Sequence, residues 1–233
     1  VFAIVRVLKC GEKFLFETEE ATRQKVYDNL LRFTFAGDFL LEDLSEKYTF
    51  YSFFGDTGET DFLIDGTIKF QNDYFVPNDS VAEFGDQLKE VVEISDELYE
   101  VLRIENGIPK YGVDVDEETV VPEVNLDGMI SYQKGCYIGQ EVIARIHFRG
   151  KPAKQLRGLV FESEPEAVAS DLIGGELKSL DEKNAGTITS VTFSPKLGKT
   201  IALGFVRKAF LEAGTKVKVL DVSAEIEELP FLK

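Results

Sequence analysis

The amino-acid sequence predicts an α+β fold followed by a small C-terminal β-barrel. Before residue 151, short strand-like segments are mixed with stretches of helical periodicity, which is typical of antiparallel strands packed with helices. From about Lys154, short strand-like segments recur at regular spacing with glycine, proline and asparagine between them, which favours a barrel or a sandwich. We therefore predict two domains, residues 1–151 and 152–233, with the boundary near Lys151-Pro152.

Local patterns predict the elements of the first domain. FAIVRVLK and KFLFE predict two strands joined by the turn CGEK. TEEATRQKVYDNLLRF predicts a helix with Thr18 as its N-cap. DFLIDGTIKFQNDYFVP, with turn signals at Asp65-Gly66 and Asn72-Asp73, predicts a hairpin or meander. SDELYEVLRIENG predicts a second helix that Ser95 caps and Gly107 ends, with Leu98 and Leu102 on one face.

Composition excludes several classes of function. The net charge of -16 argues against direct binding of nucleic acid, because phosphate contacts need a positive field. No apolar run approaches the roughly 18–20 residues that a membrane span requires, so we expect no membrane partner. Two cysteines, Cys10 and Cys136, are too few for a disulfide scaffold and indicate a reducing compartment.

Several familiar sites lack their required residues. LGKT has Phe193 where a phosphate loop needs glycine, and no GxGxxG follows a strand. The acidic DVDEE lacks the glycine and the terminal glutamate of a calcium loop. One histidine and two distant cysteines do not make a zinc site, so we predict no metal site. A Ser/His/Asp triad would have to use His147, and nothing singles out its serine.

The segment QKGCYIGQEVIARIHFRG, residues 133–150, concentrates the chemically interesting side chains. Cys136 lies in a turn between Gly135 and Gly139, beside Lys134, whose ammonium group favours the reactive thiolate form. A buried packing role is the alternative, and the residue types leave both open.

A basic cluster follows the cysteine. Arg145, His147 and Arg149 alternate with Ile146 and Phe148, so a strand would place the three cationic groups on one face. A solvated edge strand is the alternative interpretation. Because the chain is otherwise acidic, this cluster is the natural place for an anionic ligand to bind.

These residues also carry a resemblance to a known family. KGCYIGQE resembles the signature of the YgfZ family, whose fold is similar to that of the glycine-cleavage T protein, a folate-dependent aminomethyltransferase. LRIENGIPKYGVD and GTITSVTFSPKLGKTIALGFV are similar to patterns of the T protein. The matching signature residues are Lys134, Gly135, Cys136, Tyr137, Gly139, Gln140 and Glu141.

The resemblance implies a bound tetrahydrofolate and a functional thiol. Glu105 matches the family's pterin-facing glutamate, Tyr111 belongs to the same pattern, and Arg145 and Arg149 would suit the anionic glutamate tail. In YgfZ-type proteins the cysteine that matches Cys136 is tied to the maintenance of [4Fe–4S] enzymes, including enzymes that modify tRNA. The implied partners are therefore folate and iron–sulfur assembly proteins or client enzymes.

Three hypotheses follow from the resemblance. The first is a YgfZ-type accessory factor, in the cytoplasm or, in a eukaryote, in the mitochondrial matrix. The second is an aminomethyl or methyl transferase of T-protein type, although no candidate can be placed for that family's folate-proximal aspartate. The third is an interaction module whose folate site has decayed. The resemblance also implies that the chain is the back two-thirds of a longer protein, with an unusually short homologue as the alternative.

Overall fold

The computed structural model describes residues 1–34, 37, 39–54, 64–89, 91–124, 130–137, 139–150, 152–163 and 169–232. It confirms the predicted α+β fold with a C-terminal β-barrel. The chain forms two compact units, one of residues 3–94 and one of residues 95–233 together with Val1 and Phe2. The first barrel strand begins at Lys154, inside the second unit. The division into domains at 151/152 stays a prediction.

The first unit combines two antiparallel sheets with helices. Its described strands and α-helices are β1 (Val5–Cys10), β2 (Lys13–Thr18), α1 (Glu20–Leu31), β3 (Tyr48–Ser52), β4 (Ile68–Phe70), β5 (Asp73–Pro77) and α2 (Val81–Gln87). β1 pairs with β2, and β5 lies between β3 and β4. Both predicted hairpins are confirmed. Tyr74, Val76 and Phe84 are buried together in the core of this unit.

The prediction that Thr18 caps α1 is wrong. Thr18 is the last residue of β2, and the N-cap position belongs to Glu19, whose side chain makes no capping hydrogen bond. The Thr18 hydroxyl instead donates to the carbonyl of Ile4 at 2.8 Å and lies 2.6 Å from the Thr22 hydroxyl. A backbone acceptor across the sheet therefore competes successfully for the group that the sequence assigned to the cap.

The second unit holds the remaining helices and a closed barrel. The elements described here are α3 (Asp96–Glu105), α4 (Val121–Val124), α5 (Gln140–Arg149), β6 (Lys154–Phe161), α6 (Ala169–Leu172), β7 (Glu176–Ser179), β8 (Asn184–Ser194), β9 (Lys199–Arg207), β10 (Lys216–Val219) and β11 (Val222–Glu227). The barrel closes in the strand order β10-β11-β6-β9-β8-β7. None of the described helices is long and apolar enough to cross a membrane.

Helix α3 begins and ends as the sequence predicts, but it buries different residues. The Ser95 hydroxyl accepts from the Leu98 N–H at 3.3 Å, and Gly107 follows the helix with a φ of 67°. Leu98, predicted to share an apolar face with Leu102, is 41% exposed. The buried residues are those of the last turn, Arg103 to Glu105. Charged side chains are rarely buried unless they are paired, so this turn requires partners elsewhere in the fold.

The barrel that carries those partners has a tightly packed apolar core. Its core residues are almost completely inaccessible to solvent, among them Leu159, Phe161 and Ile226. Strands β8 and β9 approach so closely that a Cβ at Gly186 would lie 2.1 Å from the carbonyl oxygen of Phe205. Helix α3 packs against strands β8 and β9 of this barrel.

Candidate functional site

A cluster of hydrogen-bonded polar side chains, which we call the α3–barrel joint, connects helix α3 with strand β8. It consists of Glu100, Arg103, Asp114, Thr189 and Ser190. Arg103 is 2% exposed. Its guanidinium group donates to two carboxylates, that of Glu100 at 2.7 Å and that of Asp114 at 2.8 Å. It also donates to the Ile108 carbonyl at 3.1 Å. Its remaining terminal nitrogen donates to the Ser190 hydroxyl on β8 at 2.9 Å. The arginine therefore binds its own helix, the loop after it and the barrel simultaneously.

Asp114 is the anionic centre of this joint. Besides Arg103, the Lys110 backbone N–H and the hydroxyls of Thr189 and Ser190 donate to its carboxylate. Four donors match the roughly four lone-pair sites of an ionised carboxylate, so Asp114 has little acceptor capacity left for a ligand. Arg103 and Asp114 therefore connect α3 and the loop after it to strand β8.

Glu100 closes the joint at the surface. It accepts from Arg103 and, at 2.8 Å, from the Lys110 ammonium group. Burial raises the pKa of Glu100, but the hydrogen bonds from Lys110 and Arg103 outweigh burial and hold this pKa below its ordinary value. Glu100 therefore stays ionised at neutral pH and completes the charge balance around Arg103.

Glu105, the predicted pterin-facing residue, lies next to this joint. It is 3% exposed, and one carboxylate oxygen, Oε1, accepts from the Ser194 hydroxyl at the end of β8. Its backbone carbonyl accepts from the Phe231 N–H at 3.0 Å. Among the described residues, Ser194 is the one donor to this carboxylate, and one hydrogen bond uses only part of a carboxylate's acceptor capacity. In this respect it differs from Asp114.

Tyr111 lies in the loop that Asp114 organises. It forms a short parallel bridge with Val115, and the Gly112 N–H donates to the Val115 carbonyl at 2.7 Å. Its side chain is half-buried. The structure thus brings Tyr111 and Glu105 into the same unit, and the folate-binding role of both residues stays a prediction.

The KGCYIGQE signature lies at the surface. Cys136 is an exposed free cysteine, and the Lys134 ammonium group lies 4.9 Å from the centre of the Tyr137 ring. Gly139 has a φ of 89° and precedes α5, whose first turn holds Gln140 and Glu141. Ile138 lies outside the described residues. The buried packing role that the sequence left open for Cys136 is not the one observed.

The predicted basic strand after the signature is wrong, because residues 140–149 form helix α5. Ile143 and Ile146 are half-buried at helical spacing, and this apolar pair outweighs the alternation that suggested a strand.

Successive helical residues are about 100° apart, so Arg145 and His147 point in different directions. Arg145 and His147 are both exposed, and the His147 ring stacks on Tyr132 with 3.7 Å between ring centres. Arg149 ends the helix.

A separate cleft of about 470 Å³ lies on the barrel unit. It is lined by Val160, Leu197, Lys199, Ala213, Glu227, Glu228, Pro230 and Phe231. None of the residues predicted to bind folate lines it. In the described part of the chain, no group of three or more His, Cys, Asp and Glu side chains is arranged to hold a metal ion.

Comparisons with known proteins connect this arrangement with one family. Residues 154–233 match the family described as glycine cleavage T-protein C-terminal barrel domain. The mitochondrial aminomethyltransferase of Flaveria trinervia is 29% identical over 217 residues, which cover 88% of this chain and 49% of the relative. The aminomethyltransferase of Herpetosiphon aurantiacus is 30% identical over 165 residues, which cover 68% of this chain and 44% of the relative.

A solved structure supports the same fold. The crystal structure of glycine cleavage system aminomethyltransferase T from Bartonella henselae matches with a TM-score of 0.58 at 22% identity, covering 69% of this chain and 46% of that one. The α+β unit and its closed barrel thus define an aminomethyltransferase-like fold. The chain is related to the glycine-cleavage T protein. It spans about half, or less, of the length of the curated relatives it matches.

Proposed function

We propose that the chain is a tetrahydrofolate-binding protein of YgfZ type that supports the assembly or repair of [4Fe–4S] enzymes, tRNA-modifying enzymes among them. The observation that carries this proposal is the exposed, free thiol of Cys136 within the KGCYIGQE signature. A cysteine retained only for packing would be buried, whereas a thiol that reacts with a partner must reach the surface. The partners we propose are iron–sulfur assembly proteins or client enzymes, with no direct nucleic-acid contact.

The folate part of the proposal rests on Glu105. Its carboxylate retains acceptor capacity at a position that the family resemblance assigns to the pterin. Tyr111 would line the same site, and Arg145 and Arg149 would bind the anionic glutamate tail. Tetrahydrofolate, when bound, supplies the nitrogen atoms that carry one-carbon units. We also propose a cytoplasmic location, or the mitochondrial matrix if the source is a eukaryote.

Complementation of a deletion strain tests the thiol role. We expect Cys136→Ser to fold and to bind folinic acid but to leave the activity of [4Fe–4S] enzymes unrestored. Cys10→Ser is the matched control, because Cys10 is also an exposed free cysteine, and it should restore that activity. Full restoration by Cys136→Ser would overturn the thiol role.

Calorimetric titration with folinic acid tests the folate site. We expect binding to the wild-type chain and at least tenfold weaker binding to Glu105→Gln, because an amide can accept only through its single oxygen and no longer carries charge. Glu97→Gln, an exposed position on the same helix, is the control and should bind like the wild type. No heat with the wild-type chain would refute folate binding and favour a non-catalytic interaction module.

A folate-dependent aminomethyl or methyl transferase is the second candidate function. The observation that favours it is that the relatives from Flaveria trinervia and Herpetosiphon aurantiacus are aminomethyltransferases by name. A transferase would have to orient tetrahydrofolate and stabilise a charged one-carbon intermediate, which requires a carboxylate near the reacting nitrogen. Turnover of an aminomethyl donor with tetrahydrofolate would favour this candidate over the accessory factor.

A further inference from the structure

We infer that Ser194 is a positioning residue for Glu105, so that the barrel itself supplies part of the folate site. This inference rests on the proposed folate binding. The two residues lie 89 positions apart, Ser194 at the end of β8 and Glu105 at the end of α3. Ser194 is completely buried, and its hydroxyl reaches the carboxylate of a side chain that is itself 3% exposed.

The surroundings of Ser194 fix the direction of its hydroxyl. The Leu197 N–H donates to Ser194 Oγ at 3.1 Å, so one lone pair of the oxygen is already used. The Gly198 N–H donates to the Ser194 carbonyl at 2.8 Å, and Gly198 has a φ of 63° that closes the turn between β8 and β9. The single O–H of Ser194 donates to Glu105 Oε1.

Glu105 is consequently held at two points. The Ser194 hydroxyl binds its side chain, while the Phe231 N–H binds its backbone carbonyl. A glutamate side chain normally loses rotamer freedom when a ligand binds it, and that loss weakens affinity. Because Ser194 restricts the carboxylate before the ligand arrives, we expect it to strengthen the contact between Glu105 and the pterin.

Comparing the binding of two ligands distinguishes a positioning role of Ser194 from a general structural role. Folinic acid contains a pterin, whereas p-aminobenzoylglutamate is the part of the same molecule without the pterin. We expect Ser194→Ala to weaken folinic acid binding about tenfold, which corresponds to about 1.4 kcal/mol. Binding of p-aminobenzoylglutamate should be unchanged, because this ligand makes no contact that Glu105 governs.

Ser190→Ala is the matched control. Ser190 lies on the same strand and is also buried, at 2% exposed, but its described side-chain partners are Arg103 and Asp114. We expect this variant to lower the melting temperature while leaving the ratio of the two ligand affinities as in the wild type. If Ser194→Ala does not fold, Ser194→Cys keeps a similar shape with a much weaker donor and serves instead.

A double-mutant cycle completes the test. If Ser194 acts through Glu105, then adding Ser194→Ala to Glu105→Ala, which leaves no carboxylate for Ser194 to hold, should not weaken folinic acid binding further. Equal losses for both ligands, full additivity in the cycle, or wild-type affinity in Ser194→Ala would each overturn the positioning role. Failure of the wild-type chain to bind folinic acid is a different result, because it overturns the proposed function and the inference with it.

Discussion

The α3–barrel joint and the KGCYIGQE segment are both rich in polar residues, yet they use them in opposite ways. In the joint, Arg103 and Asp114 are buried and bonded from several sides. In the signature segment, Lys134 and Cys136 lie exposed beside the start of α5. The contrast indicates that the joint serves the fold, whereas the exposed groups of the signature segment are accessible to a partner. Glu105 lies next to the joint, and in the described part of the chain only the Ser194 hydroxyl donates to its carboxylate.

The largest effect should follow from breaking the joint. Asp114→Ala leaves the buried Arg103 without its anionic partner, so we expect unfolding in urea to become easier by about 3–5 kcal/mol. The measurement is the midpoint and slope of the urea transition, followed by circular dichroism. Asp181→Ala, an exposed turn position, is the control and should change stability by less than about 0.5 kcal/mol. A loss below about 1 kcal/mol in Asp114→Ala would contradict the structural role of this joint.

A second prediction concerns acid stability. The pKa of Glu100 is lower in the folded chain than its ordinary value of 4.5. A depressed carboxylate pKa stabilises the folded state above the unfolded pKa, and this stabilisation disappears as the pH falls from 4.5 through the folded pKa. We expect Glu100→Gln to be less stable than the wild type at pH 7 and to approach it as the pH falls below 4.5. Urea titrations at pH values from 7 to 3 measure this, and a difference independent of pH would contradict it.

Sequence patterns predict helix α3 correctly, but they predict a strand where the structure has helix α5. The boundaries of α3 are coded locally, by the Ser95 hydroxyl at its start and by Gly107 after its end. In the α5 region, the alternation from Arg145 to Arg149 covers only five residues, and that is too short to separate a strand from a helix. The decisive apolar pair, Ile143 and Ile146, lies partly outside that window.

The sequence does not predict the hydrogen-bond partner of Glu105, and the reason is different from that for α5. The motif around Glu105 identifies this residue, but no neighbouring residue in the sequence indicates that it binds a serine 89 residues later. Thr189, Ser190 and Ser194 all belong to the segment T-S…SP, which resembles a pattern of the T protein. A pattern of that kind can mark hydroxyls that act on another part of the chain, and only the closed barrel shows which part.

The third prediction tests how firmly α5 is held. Tyr132 stacks on His147, with 21° between the ring planes, and this contact joins the segment before the signature to the helix after it. An aromatic pair contributes about 0.5–1.5 kcal/mol beyond its buried area. We expect Tyr132→Ala to speed amide hydrogen exchange in α5 while leaving exchange in the barrel strands unchanged. Unchanged exchange in α5 would show that the stack does not hold the helix.

The smallest effect should come from the cysteine itself. Because Cys136 is exposed, Cys136→Ser should change the free energy of unfolding by less than about 0.5 kcal/mol. Both cysteines of the folded wild-type chain should react with a thiol reagent without denaturant, and only one should react in Cys136→Ser. A loss of stability above about 1 kcal/mol, or a Cys136 that reacts only after unfolding, would assign it the buried packing role. The contrast between the joint and the signature would then fail, because both motifs would serve the fold.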